Sequence, residues 1–245
     1  MTNEKKVPIS THLVALASRY LALVVILAGC SQSAPLSERE LATRVLAQAV
    51  AKKVSPKKVL VVSNPFSREA GRSQEAYKFE QSGITGLKDG FGEGVKVEVD
   101  FPALKPETVR DPSSIQVDAQ TTTPLSFFVG ENAFSELARK HSNADVIVSL
   151  IGLPVHLGAF KEWSQSGKPH FALLLPDWRM IGGREKIVQA FRSGKLIAAV
   201  VRRPNAPEGN ATGEAQAEFD ARYWLVTADN VESLVQQNPA AFGLR

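Results

Sequence analysis

The stretch DVIVSLIG, Asp145 to Gly152, is a short, continuous apolar run closed by a glycine. A run of this length is too short for a buried helix, and it lacks the polar alternation of a strand with one wet face. It therefore reads as a strand covered on both sides, the pattern of a parallel sheet with helices above and below. Similar text recurs on either side of it. KVLVVS (Lys58–Ser63), HFALLLP (His170–Pro176) and KLIAAVV (Lys195–Val201) are apolar runs bounded by turn residues, while VKVEVDF (Val95–Phe101) alternates as a strand nearer an edge does, and RYWLVT (Arg222–Thr227) supplies a sixth.

Helical text separates these runs. Ser37 and Glu40 form an S-x-x-E capping box, and Leu41, Val45, Leu46 and Val50 recur at helical spacing, which predicts a helix over residues 38–53 that stops before Ser55-Pro56. Further helices are expected within 69–88, over 131–141, around 159–166, over 184–192 and over 230–237. Gly90, Gly92 and Gly94 are read as closing the first of these, within 69–88. Residues 102–130, with four prolines and the run Thr121–Thr123, read as an irregular insertion with one candidate strand at Leu125–Val129, and 203–218 as a polar connection. Strands alternating with single helices imply parallel pairing and right-handed crossovers. The fold class expected is α/β: an open, doubly wound, mostly parallel sheet of about six strands in a Rossmann-like three-layer sandwich, forming one domain over residues 38–245. The strand order expected is 2-1-3-4-5, with the sixth strand at an edge and its direction open.

The amino terminus has a different composition. Lys5, Lys6 and Arg19 precede an apolar run from Tyr20 to Gly29, about half of what a membrane span needs, and small residues follow. LAGC, Leu27 to Cys30, resembles the lipobox of bacterial lipoproteins, and Cys30 is the chain's one cysteine. The resemblance implies cleavage of residues 1–29, a lipid on the Cys30 sulfur, and a tether over residues 30–37. It also implies a cell-envelope protein anchored in a membrane and facing the periplasm or exterior. Ser31 follows the cysteine where an Asp would signal inner-membrane retention, so in a two-membrane cell the outer membrane is favoured. Two other readings stay open: Cys30 as a buried small hydrophobe, and the leader as an uncleaved anchor. Without residues 1–29 the formal charge falls from +4 to +2 over 216 residues, which removes the electrostatic attraction that nucleic acid needs.

The phrases NADVIVSLIGLP, KLIAAVVRRP and RYWLVTADNVESL resemble segments of the type 1 periplasmic-binding-protein-like fold of sugar-type solute-binding proteins. The resemblance implies solute binding; those proteins close two lobes on a ligand, and this chain has strands for one.

Ligands of an open parallel sheet bind beyond the strand carboxyl ends, near the switch in strand order. That rule selects Asn64, Ser67, Arg68 and Arg72 after the first strand, Gly152, Pro154 and His156 after the third, and Asp177, Trp178 and Arg179 after the fourth. Arg68 and Arg72, four apart, would share a helical face and clamp an anion; as a bland alternative they are a solvated face pairing with Glu69 or Glu75. Trp178 would stack on a ring with Asp177 accepting hydroxyl bonds, and Gly182 and Gly183 would admit a ligand's approach; alternatively Trp178 caps the core and Gly-Gly is turn punctuation. The histidines left after cleavage, His141, His156 and His170, lack metal spacing. Only His156, with Asp177 as a conceivable partner, stands where chemistry would be done. No nucleophile motif, phosphate loop or dinucleotide fingerprint is present, so no catalytic residue, metal or cofactor is implied. Three classes follow: a lipid-anchored domain binding or sensing a small polar or anionic solute, an envelope lipoprotein that engages another protein, and a hydrolase.

Overall fold

The computed structural model describes residues 36–68 and 73–244; the lipobox, Cys30 and Arg72 lie outside the described residues. In chain order the elements are α1 (Glu38–Val54), β1 (Lys58–Val62), α2 (Gln74–Phe91), β2 (Lys96–Asp100), α3 (Pro106–Arg110), α4 (Leu125–Phe128), α5 (Ala133–Lys140), β3 (Val146–Ser149), α6 (Lys161–Ser164), β4 (His170–Leu174), α7 (Arg184–Arg192), β5 (Leu196–Arg202), α8 (Ala215–Arg222), β6 (Tyr223–Thr227) and α9 (Val231–Gln237). Strand order is β2-β1-β3-β4-β5-β6, with β1 to β5 parallel and β6 antiparallel to β5. The sheet is the doubly wound one expected, and β2 lies at its edge.

Alternation along each strand divides the core into two layers. Leu60, Val62, Ile147, Phe171 and Leu173 face Phe134 and Leu137 of α5, Ile187 and Phe191 of α7, and Val231 and Val235 of α9. Val59, Val61, Val146, Val148, Ala172 and Leu174 face Leu41, Leu46 and Val50 of α1 with Ile84 and Leu87 of α2. Register at the amino ends is pinned by Asp145, whose carboxylate accepts the backbone N–H groups of Lys57 (2.7 Å) and Lys58 (3.0 Å) and the ammonium of Lys168. Those three donors hold its carboxyl down at about 2, Lys168 contributing most.

Three elements depart from expectation. Leu125–Phe128 is a helical turn and not a strand: Pro124 starts the turn, Ser126 is buried and donates to Ile151 O (2.9 Å), and only Val129 bridges to Leu104. The polar stretch 203–218 contains the start of α8, whose one large apolar core residue is Phe219, so no helical period shows in the sequence. Third, α2 runs through Gly83, Gly86 and Gly90 to Phe91. A Cβ at Gly86 would meet Glu40 O and Thr43 Oγ1 well inside contact distance, and one at Gly90 would sit 2.7 Å from Ala47 Cβ. These glycines, spaced three and four apart, let α2 lie against α1; of the three expected to close the helix, Gly90 lies within it and Gly92 is its C-cap, with φ of +74°.

The direction of β6 follows from a connection held at the strand-carboxyl end. Ala211, midway along residues 203–222, bridges Leu36 just ahead of α1, and Arg203 N donates to Arg222 O at 2.8 Å. The chain does not return to the amino end of β5, so β6 starts beside Arg202 and runs antiparallel. Both edges are blunted against further strands. At β6, Arg203 Nε donates to Tyr223 O (2.9 Å) and Asn230 takes up Leu225 O and Thr227 N (2.8 Å each). On β2, Glu98 pairs with Lys58 and Lys96, and Asp100 with Lys140. His141, the C-cap of α5, places its ring nitrogens 2.9 Å from Glu98 and 2.8 Å from Asp100. Glu98 titrates at about 2, first because of Lys58 and then Lys96.

Candidate functional site

The first connection beyond the strand carboxyl ends runs from β1. Ser63 is the first residue past the strand and donates from Oγ to Glu80 Oε2 of α2 at 2.8 Å. Glu80 is 2% exposed and takes Arg39 Nη2 of α1 on its other oxygen at 2.6 Å. A buried carboxylate needs such partners, because leaving either charge alone there is strongly destabilising. The Arg39 guanidinium also lies 4.3 Å from the centroid of the Phe79 ring, which is 57% exposed. Strand end, α1 and α2 thus meet in one Ser63–Glu80–Arg39–Phe79 series.

Beside this series is a cavity of about 220 Å³ at the point where strand order reverses between β1 and β3. Its walls include Arg39, Phe79 and Glu80, with Asn64 from the end of β1 and Thr122 and Thr123 from the insertion. Leu150, Ile151, Leu174 and Leu175 form its apolar part. Asn64 is oriented by its own turn, Oδ1 accepting from Phe66 N at 2.9 Å. Thr123 is buried against Gly152, whose φ of +87° leaves no room for a side chain: a Cβ would stand 2.6 Å from the threonine methyl. The 102–130 insertion is therefore the wall of a cavity, closed on itself by Thr108 Oγ1 to Phe128 O (3.0 Å) and tied to the end of β3 by Ser126 to Ile151.

Of the residues selected from sequence, the structure brings Asn64 and Gly152 to this cavity, the first in its wall and the second packed behind Thr123. Ser67 is buried and closes the turn after β1, its Oγ donating to Asn64 O at 2.7 Å. Arg68 is exposed at the end of that 3-10 turn, and α2 begins at Gln74; the helical face expected to join it to Arg72 falls outside the described residues. Arg68 instead edges a separate groove of about 340 Å³ with Pro65, Phe101, Pro102, Leu104 and the exposed Val109. Pro154 and His156 line a recess of about 20 Å³ with Lys105 and Glu131, room for little more than one water.

The loop after β4 is structural. Asp177 receives Arg179 through Nε (2.9 Å), Nη2 (2.6 Å) and the backbone N–H (3.1 Å), and Thr121 Oγ1 at 2.9 Å. Burial pushes its carboxyl up, but Arg179 and Thr121 outweigh burial and hold it below the ordinary aspartate value. With its lone pairs taken, Asp177 has none left for a solute, and no hydrogen bond joins it to His156 among the described residues. Arg179 also reaches Asp118 (3.0 Å), so the pair staples the insertion to the sheet. Trp178 is 3% exposed, with its ring 5.1 Å from Phe242 and 6.1 Å from Phe191. It caps the core and offers no face for stacking. Gly182 and Gly183 have φ of +93° and +105° and turn the chain into α7, clear of the cavity.

Arg39, Phe79, Glu80, Thr122 and Thr123 were not singled out from sequence. Arg39 and Glu80 carry one signal, as charged residues on the helical periods that also carry Leu46, Ile84 and Leu87 into the core. Among the described residues no group of side chains has metal-site composition, and no helix is long and apolar enough to cross a membrane.

No protein-family model matches the chain, and neither does any curated protein. Solved structures do resemble it. A carbohydrate transporter from Acidothermus cellulolyticus in complex with myo-inositol gives a TM-score of 0.45 at 11% identity, over 84% of this chain and 63% of that one. An ABC transporter periplasmic solute binding protein from Actinobacillus succinogenes with bound D-allose gives 0.44 at 10%, over 81% and 62%. The glucose-galactose binding protein GanP from Geobacillus stearothermophilus gives 0.42 at 9%, over 82% and 55%. The chain spans between one half and two thirds of the length of these three, which are named for sugar or solute binding.

Proposed function

We propose that this chain is an extracytoplasmic binding domain that takes a small polar solute at the strand carboxyl ends and is held to a membrane through lipidated Cys30. The cavity of about 220 Å³ at the β1/β3 switch carries this reading, because it joins an apolar floor to an exposed aromatic ring, an amide, two hydroxyls and an ion pair. Its volume lies below the range typical of drug-sized ligands, which selects a compact solute. Arg39 is already neutralised by Glu80, so the cavity favours a neutral, hydroxyl-bearing solute over an anion. The test is a thermal-shift screen of residues 31–245 against small polyols, monosaccharides and carboxylic acids, since a ligand bound only by the folded state raises Tm. A neutral solute should raise Tm, and Phe79→Ala should abolish the rise while the unliganded domain stays folded, with Tm lowered by no more than the lost Arg39–Phe79 contact implies. A screen with no shift, or a shift untouched by Phe79→Ala, rejects this site.

A second reading, engagement of an envelope protein, has one observation behind it. Val109, 71% exposed, and Arg68 edge a groove of mixed polar and apolar lining over the ends of β1 and β2, and a large apolar side chain left this exposed beside a groove is one a partner would cover.

A further inference from the structure

We infer that the strand-carboxyl end of the sheet, with the cavity and the groove beside it, faces the bilayer at close range, so that the site fills and empties at the membrane surface. This rests on the proposed lipidation of Cys30, and the rest of the inference comes from where α1 begins.

Four contacts place the amino end of α1 at the strand-carboxyl end. Leu36 bridges to Ala211 in the connection that leaves β5, with Ala211 N donating to Leu36 O at 3.1 Å. Glu38 accepts from Arg202, the last residue of β5, at 2.7 Å and from Tyr223, the first of β6, at 3.1 Å. Arg39 lines the cavity together with Asn64 and Leu175. The carboxyl end of α1 is at the opposite pole: Val54 leads through Ser55 and Pro56 into Lys57, whose N–H Asp145 receives at the strand amino ends.

The lengths then decide orientation. Five residues lie between Cys30 and Leu36, and the six Cα-to-Cα steps span about 20 Å at full extension. The 17 residues of α1 are roughly 26 Å long. For the strand-amino end to face the bilayer, Leu36 would stand at least the length of α1 above the surface, farther than its tether reaches. Any path shorter than full extension draws the carboxyl end closer still. Charge at this end is mixed, Arg68 and Arg110 being offset by Glu107 and Asp111, so the tether and not an electrostatic face sets the orientation.

The test uses the full lipidated chain in phosphatidylcholine vesicles whose headgroups carry a short-range nitroxide quencher. With Cys30 blocked by lipid, a single new thiol takes the fluorophore: V109C at the strand-carboxyl end, or K96C at the strand-amino end of β2. Quenching should be at least twofold stronger at position 109, and inserting twenty Gly/Ser residues after Ser33 should erase the difference. Equal quenching at the two positions, or stronger quenching at 96, overturns the orientation while leaving the anchor intact. Mass spectrometry showing a free Cys30 thiol on native protein overturns the anchor and the orientation together.

Discussion

Gly86→Ala puts two physical effects in opposition. Alanine in a helix interior is favoured over glycine by about 1 kcal/mol, so on local grounds the change stabilises α2. Against this, the new methyl meets the Glu40 carbonyl oxygen and Thr43 Oγ1 well inside contact distance and stands 3.0 Å from the Glu40 carbonyl carbon. The obstacle is α1 backbone, fixed in its own hydrogen bonds, and Thr43 is tied to it through Oγ1 to Arg39 O (2.8 Å) and Glu40 O (3.1 Å). The helices then have to part by roughly 1 Å along a face that buries Leu41, Leu46, Ile84 and Leu87. Overpacking of this kind costs about 1–3 kcal/mol, and a rigid backbone neighbour places it at the upper end. The net expectation is a loss of about 2 kcal/mol, or about 4–8 °C in Tm for a domain of this size. The assay is thermal and urea unfolding followed by far-UV circular dichroism, with Gly94→Ala as the control, since nothing lies within 4 Å of a Cβ there. A Gly86→Ala variant as stable as wild type, or more stable, would refute the close approach of α1 and α2. Gly83→Ala should be milder, because what it meets is the Arg39 side chain at 2.9 Å.

Two further changes probe the two poles of the sheet. Asp145 has its carboxyl depressed to about 2; its stabilisation is therefore complete above the unfolded-state pKa of about 4 and is lost as pH falls through about 2. The shift corresponds to about 2 kcal/mol, cut to about 1 because Lys168 is exposed and screened. Asp145→Asn should thus lower Tm by about 2–4 °C at pH 7, with the gap to wild type closing between pH 4 and pH 2; a gap that persists at pH 2 contradicts the ion-pair account. Asp177→Ala removes the acceptor of Thr121 and Arg179, leaving the Arg179 guanidinium only its pair with Asp118. It should make residues 102–130 the first point of limited proteolysis, at a cost of about 2–3 kcal/mol in stability. An unchanged cleavage pattern would mean the insertion is held by other contacts.

The strands and their order were readable because each rests on local chemistry. Apolar runs such as Val59–Val62 and Val146–Ser149 are unlike turn text, and single helices between parallel strands leave few topologies. The ends of α7, Arg184 and Arg192, fell where periodicity and the preceding Gly182-Gly183 put them. The site was less readable. Asn64 could be chosen because its position relative to β1 is local, but Arg39, Phe79, Glu80 and Thr123 come from three separate segments, and nothing in sequence says that they meet. Asp177 and Trp178 show the converse: the strand-end rule found the right position, but burial gave both side chains to the protein's own structure.

By itself, then, the sequence determined the layers, the order of the parallel strands and the helix that leads into β1, because hydrophobic period and capping act over one or two turns. Only the tertiary structure decided the direction of β6, set by contacts that hold the 203–222 connection at the strand-carboxyl end, and the closeness of α1 and α2, set by glycines that local propensity counts against a helix. It also decided which charged and aromatic groups gather at the β1/β3 switch, since contacts between residues forty or more apart in sequence exist only once the sheet has brought their elements together.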